Sequence, residues 1–153
     1  MRRILLLLMV VSYPLFATDL KPDSVLLPKP TTYSPFEKTW AGITPSFIVE
    51  NANVQPATSS EYTVVVDIRT QTGTEVYRHT VQGKTILPFT KQTLTSDLPW
   101  FPTASGRYSI RLTVIFASDI LPQNNIKEWA FSLCAGPQPQ PAETEPGLVL
   151  VEQ

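Results

Sequence analysis

One histidine, His79, and one cysteine, Cys134, set the ceiling on reactive chemistry in this sequence. A Ser-His-Asp or Cys-His arrangement needs a base beside its nucleophile. His79 falls in a stretch that predicts an edge strand, far along the chain from Cys134. Zinc needs several ligands converging on one point; Glu75 and His79 share a strand face at four-residue spacing, which holds them well apart. No two glycines lie close enough for a phosphate-cradling loop. The 13 Asp and Glu residues are scattered, so a carboxylate pair of glycosidase type reads as chance and the charges read as solvated. Asp97, Asp119 and Glu128 in end loops are oxygen donors that calcium could use, but they are sparse. The expectation is a non-enzymatic chain with no catalytic residues, no cofactor and no metal ligands.

The side chains left for recognition are aromatic: Trp40, and Trp100 with Phe101 between Pro99 and Pro102. An exposed ring on a loop stacks on a sugar or anchors a protein partner. A ring in the same place can instead fold over the open end of a sandwich and plug its core. For Trp100 the plug is the preferred reading.

The elements that would carry these residues are strands. The 153 residues are 42% hydrophobic, with 15 Pro and 18 Thr, which suits one domain of short strands. Residues 18–35, with Pro22, Pro28, Pro30 and Pro35 around Val25, Leu26 and Leu27, predict a weak first or edge strand. In 43–51, Ile43, Phe47 and Val49 share one face before Asn51-Ala52-Asn53 ends the strand. Tyr62, Val64, Val66 and Ile68 alternate with Thr63, Val65, Asp67 and Arg69 at a period of two. A turn at 71–74 containing Gly73 predicts a hairpin into an edge strand at 75–82. Residues 90–98 place Leu94 and Leu98 on one face, and the run 99–102 then breaks any ladder. In 107–116, Tyr108, Ile110, Leu112, Val114 and Phe116 point inward while Arg107, Ser109, Arg111 and Thr113 point outward. The last strand, 126–134, puts Trp129, Phe131 and Leu133 on one face. About seven such strands without helical periodicity predict an all-β fold, an antiparallel immunoglobulin-like or fibronectin-type sandwich over 18–135.

Outside that domain lie two segments of other character. Arg2 and Arg3 precede the apolar run 4–11, which reads as a secretory signal peptide over 1–17. The run is shorter than the ~20 residues that span a bilayer, so no transmembrane span is expected in the mature chain. Its removal leaves 10 basic against 13 acidic groups, a net charge of −3. That balance excludes the basic field a nucleic-acid partner requires. One Cys cannot close an internal bridge, so burial must hold the fold, and Cys134 reads as a small buried hydrophobe. Residues 136–153 are a Pro-rich linker and a short apolar tail, with 148–151 reading either as frayed or as a strand offered to a partner.

The run Asn51-Ala52-Asn53, the Gly106-Arg107-Tyr108 strand opening, and Asp119, Pro122, Asn124 and Asn125 before the last strand resemble the CARDB family of bacterial cell-adhesion-related domains. That resemblance covers about residues 19–134 and implies a seven-stranded immunoglobulin-like sandwich. Residues 147–153 are similar to the lead-in of a C-terminal sorting module of bacterial surface proteins. Independently of any family, Tyr108 stands where a tyrosine corner sits in such sandwiches. Asn124 and Asn125 can bond loop backbone, and with Trp129 these residues are expected to be structural. The functional expectation is an exported module for adhesion, spacing or protein–protein assembly at the bacterial envelope, periplasmic or at the cell surface, working through a sheet edge or the loops 51–60 and 100–105. The alternatives are a carbohydrate-binding module using exposed Trp, with a glycan as partner, or a secretion accessory protein that donates 148–151.

Overall fold

A computed structural model describes residues 19–29, 33–35, 42–119 and 121–134. The expected signal peptide at 1–17, Trp40, the expected linker and the tail at 148–151 lie outside the described residues. Eight strands form two sheets: β1 (Leu20–Leu27), β2 (Tyr33–Pro35), β3 (Ser46–Asn51), β4 (Tyr62–Thr70), β5 (Glu75–Gln82), β6 (Lys91–Thr95), β7 (Gly106–Phe116) and β8 (Ile126–Cys134). One sheet has the order β1-β3-β6 and the other β2-β8-β7-β4-β5. No helix among the described residues is long and apolar enough to cross a membrane.

The alternating pattern becomes the core directly. Tyr62, Val64, Val66 and Ile68 of β4 and Tyr108, Ile110, Leu112, Val114 and Phe116 of β7 are all buried, and they face Leu20, Phe47, Val49 and Leu94 from the smaller sheet. β4 and β7 run antiparallel from Tyr62 opposite Phe116 to Thr70 opposite Tyr108. Nine facing pairs set the long axis of the sandwich at roughly 27 Å, at ~3.4 Å per residue. β5 is the free edge of the larger sheet, with Tyr77 and Val81 turned in. The β4–β5 turn closes on Gly73 at φ 86, a left-handed position that a side chain would strain.

Three expectations change in detail. The sandwich is not wholly antiparallel: β2 pairs parallel with β8, Tyr33 opposite Ser132 through Pro35 opposite Cys134. The third strand begins at Ser46 rather than Ile43, because Ile43 instead makes an isolated bridge to Trp100. Leu98 is exposed, 48% accessible, since the strand at 90–98 stops at Thr95 and alternation no longer aims the later side chains.

The two ends of the sandwich are closed differently. At the lower end, where β3 leaves and β6 begins, fully buried Asn51 acts as a hub. Its amide nitrogen donates to the Gln55 carbonyl (2.6 Å) and the Ile86 carbonyl (3.4 Å), and its oxygen accepts from the Asn53 N–H (3.0 Å). Asn124 and Asn125 also lie here. Asn124 Nδ2 donates to Asp19 Oδ1 (2.9 Å), so its partner is a side chain and not the expected loop backbone. The Asn125 carbonyl accepts from the Val114 N–H (2.9 Å), while the side-chain oxygens of both asparagines are buried without a protein partner.

Candidate contact surface

The upper end is built by the segment that follows β6. Pro99 and Pro102 cannot donate to a ladder, so the chain leaves the sheet and Trp100 alone is pinned back. Its N–H donates to the Ile43 carbonyl (2.8 Å) and its carbonyl accepts from the Ile43 N–H (2.7 Å). This reciprocal pair of hydrogen bonds holds the segment with the indole turned inward. Trp100 is 4% exposed and packs edge-on against Tyr108 (centroids 5.2 Å apart) and Phe131 (6.0 Å), while Tyr108 and Phe131 stack at 5.7 Å. A sugar needs an open ring face, so burial removes Trp100 from the contact residues and gives it the place of a plug.

Tyr108 holds the same loop from below. Its hydroxyl donates to the Ala104 carbonyl (2.7 Å), four residues upstream, which is tyrosine-corner geometry. Burial pushes its pKa above the ordinary tyrosine value, and does the same to Tyr77. The Tyr77 hydroxyl donates to the Leu98 carbonyl (2.7 Å) and lies 2.6 Å from Ser96 Oγ, tying β5 to the exit of β6.

Phe101 is the residue this scaffold presents. It is 58% exposed, and its ring carbons Cε1 and Cζ lie beside Gly42. Gly42 has φ +85, and a Cβ added there would come within 3.0 Å of the Phe101 ring, so both conformation and space require glycine. Beside the ring is a hollow of about 170 Å³ lined by Val76, Trp100, Phe101, Thr103 and Tyr108. Val76 and Thr103 have no distinguishing mark in the sequence, because one is an edge-strand aliphatic and the other an ordinary loop threonine.

The remaining candidates are not brought together. Trp129 is half-buried mid-strand, with Lys127 Nζ 5.2 Å over its ring. Asp97 bonds His79, Asp119 accepts the Leu20 and Leu121 N–H groups, and Glu128 stands opposite Arg111. No cluster of three or more His, Cys, Asp or Glu suited to a metal exists among the described residues. One polar feature was invisible in the pattern. Asp67, an outward position of β4, is buried, with one carboxylate oxygen taking Arg69 Nε (2.9 Å) and Nη2 (2.8 Å) and the other left without a partner. This pairing raises the Arg69 pKa.

No protein-family model matches the sequence, and no curated protein matches it. Among solved structures, the fold is similar to the solution NMR structure of the CARDB domain of a Pyrococcus furiosus protein: TM-score 0.54, 20% identity, 78% of this chain and 98% of that one. A crystal structure of that CARDB domain in complex with di-metal ions aligns with a TM-score of 0.47 and 20% identity, over 78% of this chain and 93% of that one. At this identity the likeness establishes the fold, an all-β sandwich of the CARDB kind.

Proposed function

We propose that this chain, with the fold of a CARDB domain, is an exported, non-catalytic sandwich that makes protein–protein contacts at the bacterial envelope. The observation that carries the reading is Phe101. A large exposed ring set beside Gly42, next to a Trp100 pinned by its backbone pair with Ile43, is an anchor that loses little freedom on binding. Export is supported by the character of residues 1–17. The glycan alternative loses Trp100 as its platform.

The test is capture of envelope proteins by the wild-type chain and by Phe101→Ala. Phe101 contributes little to the core, so the variant should keep its thermal midpoint and lose its captured partner. Capture unaffected by Phe101→Ala, or a hydrolytic or transfer activity abolished by a single substitution, would refute the reading.

A further inference from the structure

Three buried side-chain oxygens lack a protein partner among the described residues, and two of them stand side by side at the lower end, Asn124 Oδ1 and Asn125 Oδ1. Folded proteins rarely leave a buried amide oxygen bare, and water or an ion ordinarily meets it. The loop that carries this pair folds back over the first residues of β1. Asn124 Nδ2 donates to Asp19 Oδ1 (2.9 Å), and the next backbone amide, Leu20 N–H, donates to Asp119 Oδ2 (3.3 Å). Two carboxylates and the Asn124 amide therefore meet at one dipeptide, Asp19-Leu20. Asn125, 6% exposed, faces the same place. Its carbonyl takes the Val114 N–H one step beyond the facing pair Thr113 and Ile126, and Val114 is an inward position. Two residues further along β8, Lys127 on that inward face donates to the Asp23 carbonyl of β1 (2.9 Å). Stepping back from Lys127 to Asn125 leads to the point where β1 begins.

Charge separates an ion from a water as the occupant. Asp19 is only 8% exposed, yet among the described residues no Lys, Arg or His forms an ion pair with it or with Asp119. The lysines of this end are engaged elsewhere: Lys21 beside Glu50, Lys91 with Asp23 and Glu50, and Lys127 on the Asp23 carbonyl. A buried carboxylate without a counter-charge is costly, and a neutral water would meet the amide oxygens without meeting that charge. Asp119 Oδ1 accepts from the Leu121 N–H (2.7 Å), but each carboxylate oxygen keeps a lone pair beyond the hydrogen bond it takes.

We propose that the junction between the start of β1 and the loop before β8 is a calcium site, its protein ligands the Asp19 and Asp119 carboxylates and the Asn124 and Asn125 side-chain oxygens. The donors are all oxygen, which suits a hard cation and not zinc or copper. Calcium accepts ~6–8 oxygens from carboxylates, amide carbonyls and water in irregular geometry, whereas magnesium demands a near-octahedral set and keeps its own water. Two carboxylates balance the charge of the ion. With only two, the affinity belongs to the weak class of extracellular modules, a Kd of ~10⁻⁴–10⁻³ M. Asp97 and Glu128 take no part. The site is at the end opposite Phe101, so it stands or falls apart from the contact reading.

Thermal melts of the full chain test it first. Exchanging chelator for about 10 mM calcium should raise the midpoint by about 4 °C or more, and magnesium or sodium chloride at equal ionic strength should do far less. Asp19→Asn keeps the shape and the acceptor for Asn124 but removes one charge. In chelator it should melt no lower than wild type, because an unpaired buried carboxylate has gone, while its calcium affinity should fall about tenfold or more. Asp97→Asn should respond to calcium as wild type does. An NMR titration locates the ion without any substitution: the Leu20, Leu121 and Val114 amides should shift and saturate together. A wild-type midpoint that calcium moves no further than sodium chloride does overturns the proposal, and so does an equal response to magnesium, which marks a diffuse acidic surface. Undiminished affinity of Asp19→Asn, or saturable shifts centred on Asp97 or Glu128 instead, overturns it as well.

Discussion

The upper end of this sandwich is sealed by aromatic rings and the lower end by amide hydrogen bonds. Above, Trp100, Tyr108 and Phe131 remove water by area and dispersion, and their mutual geometry adds a smaller aromatic contribution. Below, Asn51 bonds the Gln55 carbonyl and the Asn53 N–H, for which no other protein partner is seen, and adds a longer contact to the Ile86 carbonyl, which also accepts from the Ala57 N–H. The two solutions fail differently. A ring cluster loses stability in proportion to what is removed, while a hub such as Asn51 leaves more than one group unsatisfied at once. Each end then presents an exposed phenylalanine, Phe101 beside Gly42 above and Phe89, whose N–H donates to the Asn53 carbonyl, below.

Removing Trp100 is the strongest way to test the upper seal. Trp100→Ala should destabilise the fold by about 3–5 kcal/mol, from lost burial plus the cavity left among Tyr108 and Phe131. Chemical denaturation measures this. A loss below about 1 kcal/mol would show that the loop closes over the gap and that the rings are not the seal.

The lower seal should give way by less. Asn51→Ala is expected to cost roughly 2–3 kcal/mol, because the Gln55 carbonyl and the Asn53 N–H lose their partner, while the Ile86 carbonyl keeps the Ala57 N–H. Since Asn53 also holds the Phe89 turn, amide exchange at Phe89 should rise in this variant while Trp100 fluorescence stays as in wild type. Equal disturbance at both ends would mean that they are not independent.

The contrast between the ends also marks what the sequence discloses. Alternation in 62–68 and 107–116 named the core side chains individually, because a strand has only two faces and one of them is buried. The Pro-flanked aromatic pair at 100–101 points to the upper end because proline stops the ladder there, but which ring is buried is set by the Trp100–Ile43 backbone pair, which alternation does not predict. Nothing comparable points to Asn51, whose burial depends on two loops from distant parts of the chain, residues 52–57 and 84–90, meeting over it. Phe89 was missed because Leu87-Pro88-Phe89 reads as an ordinary turn, and its positive φ belongs to backbone closure and not to residue type. Asp67 was missed because outward alternation assigns it to solvent, whereas the side chains around it on the larger sheet cover it. The parallel pairing of β2 with β8 leaves no trace in a three-residue strand.

The smallest expected effect lies at the rim of the lower end, where polarity is open to solvent. Lys91 Nζ sits 2.7 Å from Asp23 Oδ1, and the hydrogen bond from that ammonium, more than the Ser24 hydroxyl, holds the Asp23 carboxyl below its ordinary pKa. A group lowered in this way adds stability above its unfolded-state pKa and loses it as pH falls through the folded value. The Lys91 pKa is raised by the same bond, so its share is present below the ordinary lysine value and lost as pH rises through the folded one. Asp23→Asn should therefore melt slightly below wild type from neutral pH down to about pH 4, and the gap should close as the wild-type carboxyl protonates below that. Added salt should narrow the gap at neutral pH, because the pair is open to screening. The Asn51→Ala deficit, which comes from neutral buried groups, should stay constant across the same acid range. Thermal melts of both variants against pH distinguish the two polar layers of the lower end: a pH-dependent Asn51→Ala deficit would mean that the buried hub and the rim charges act as one network.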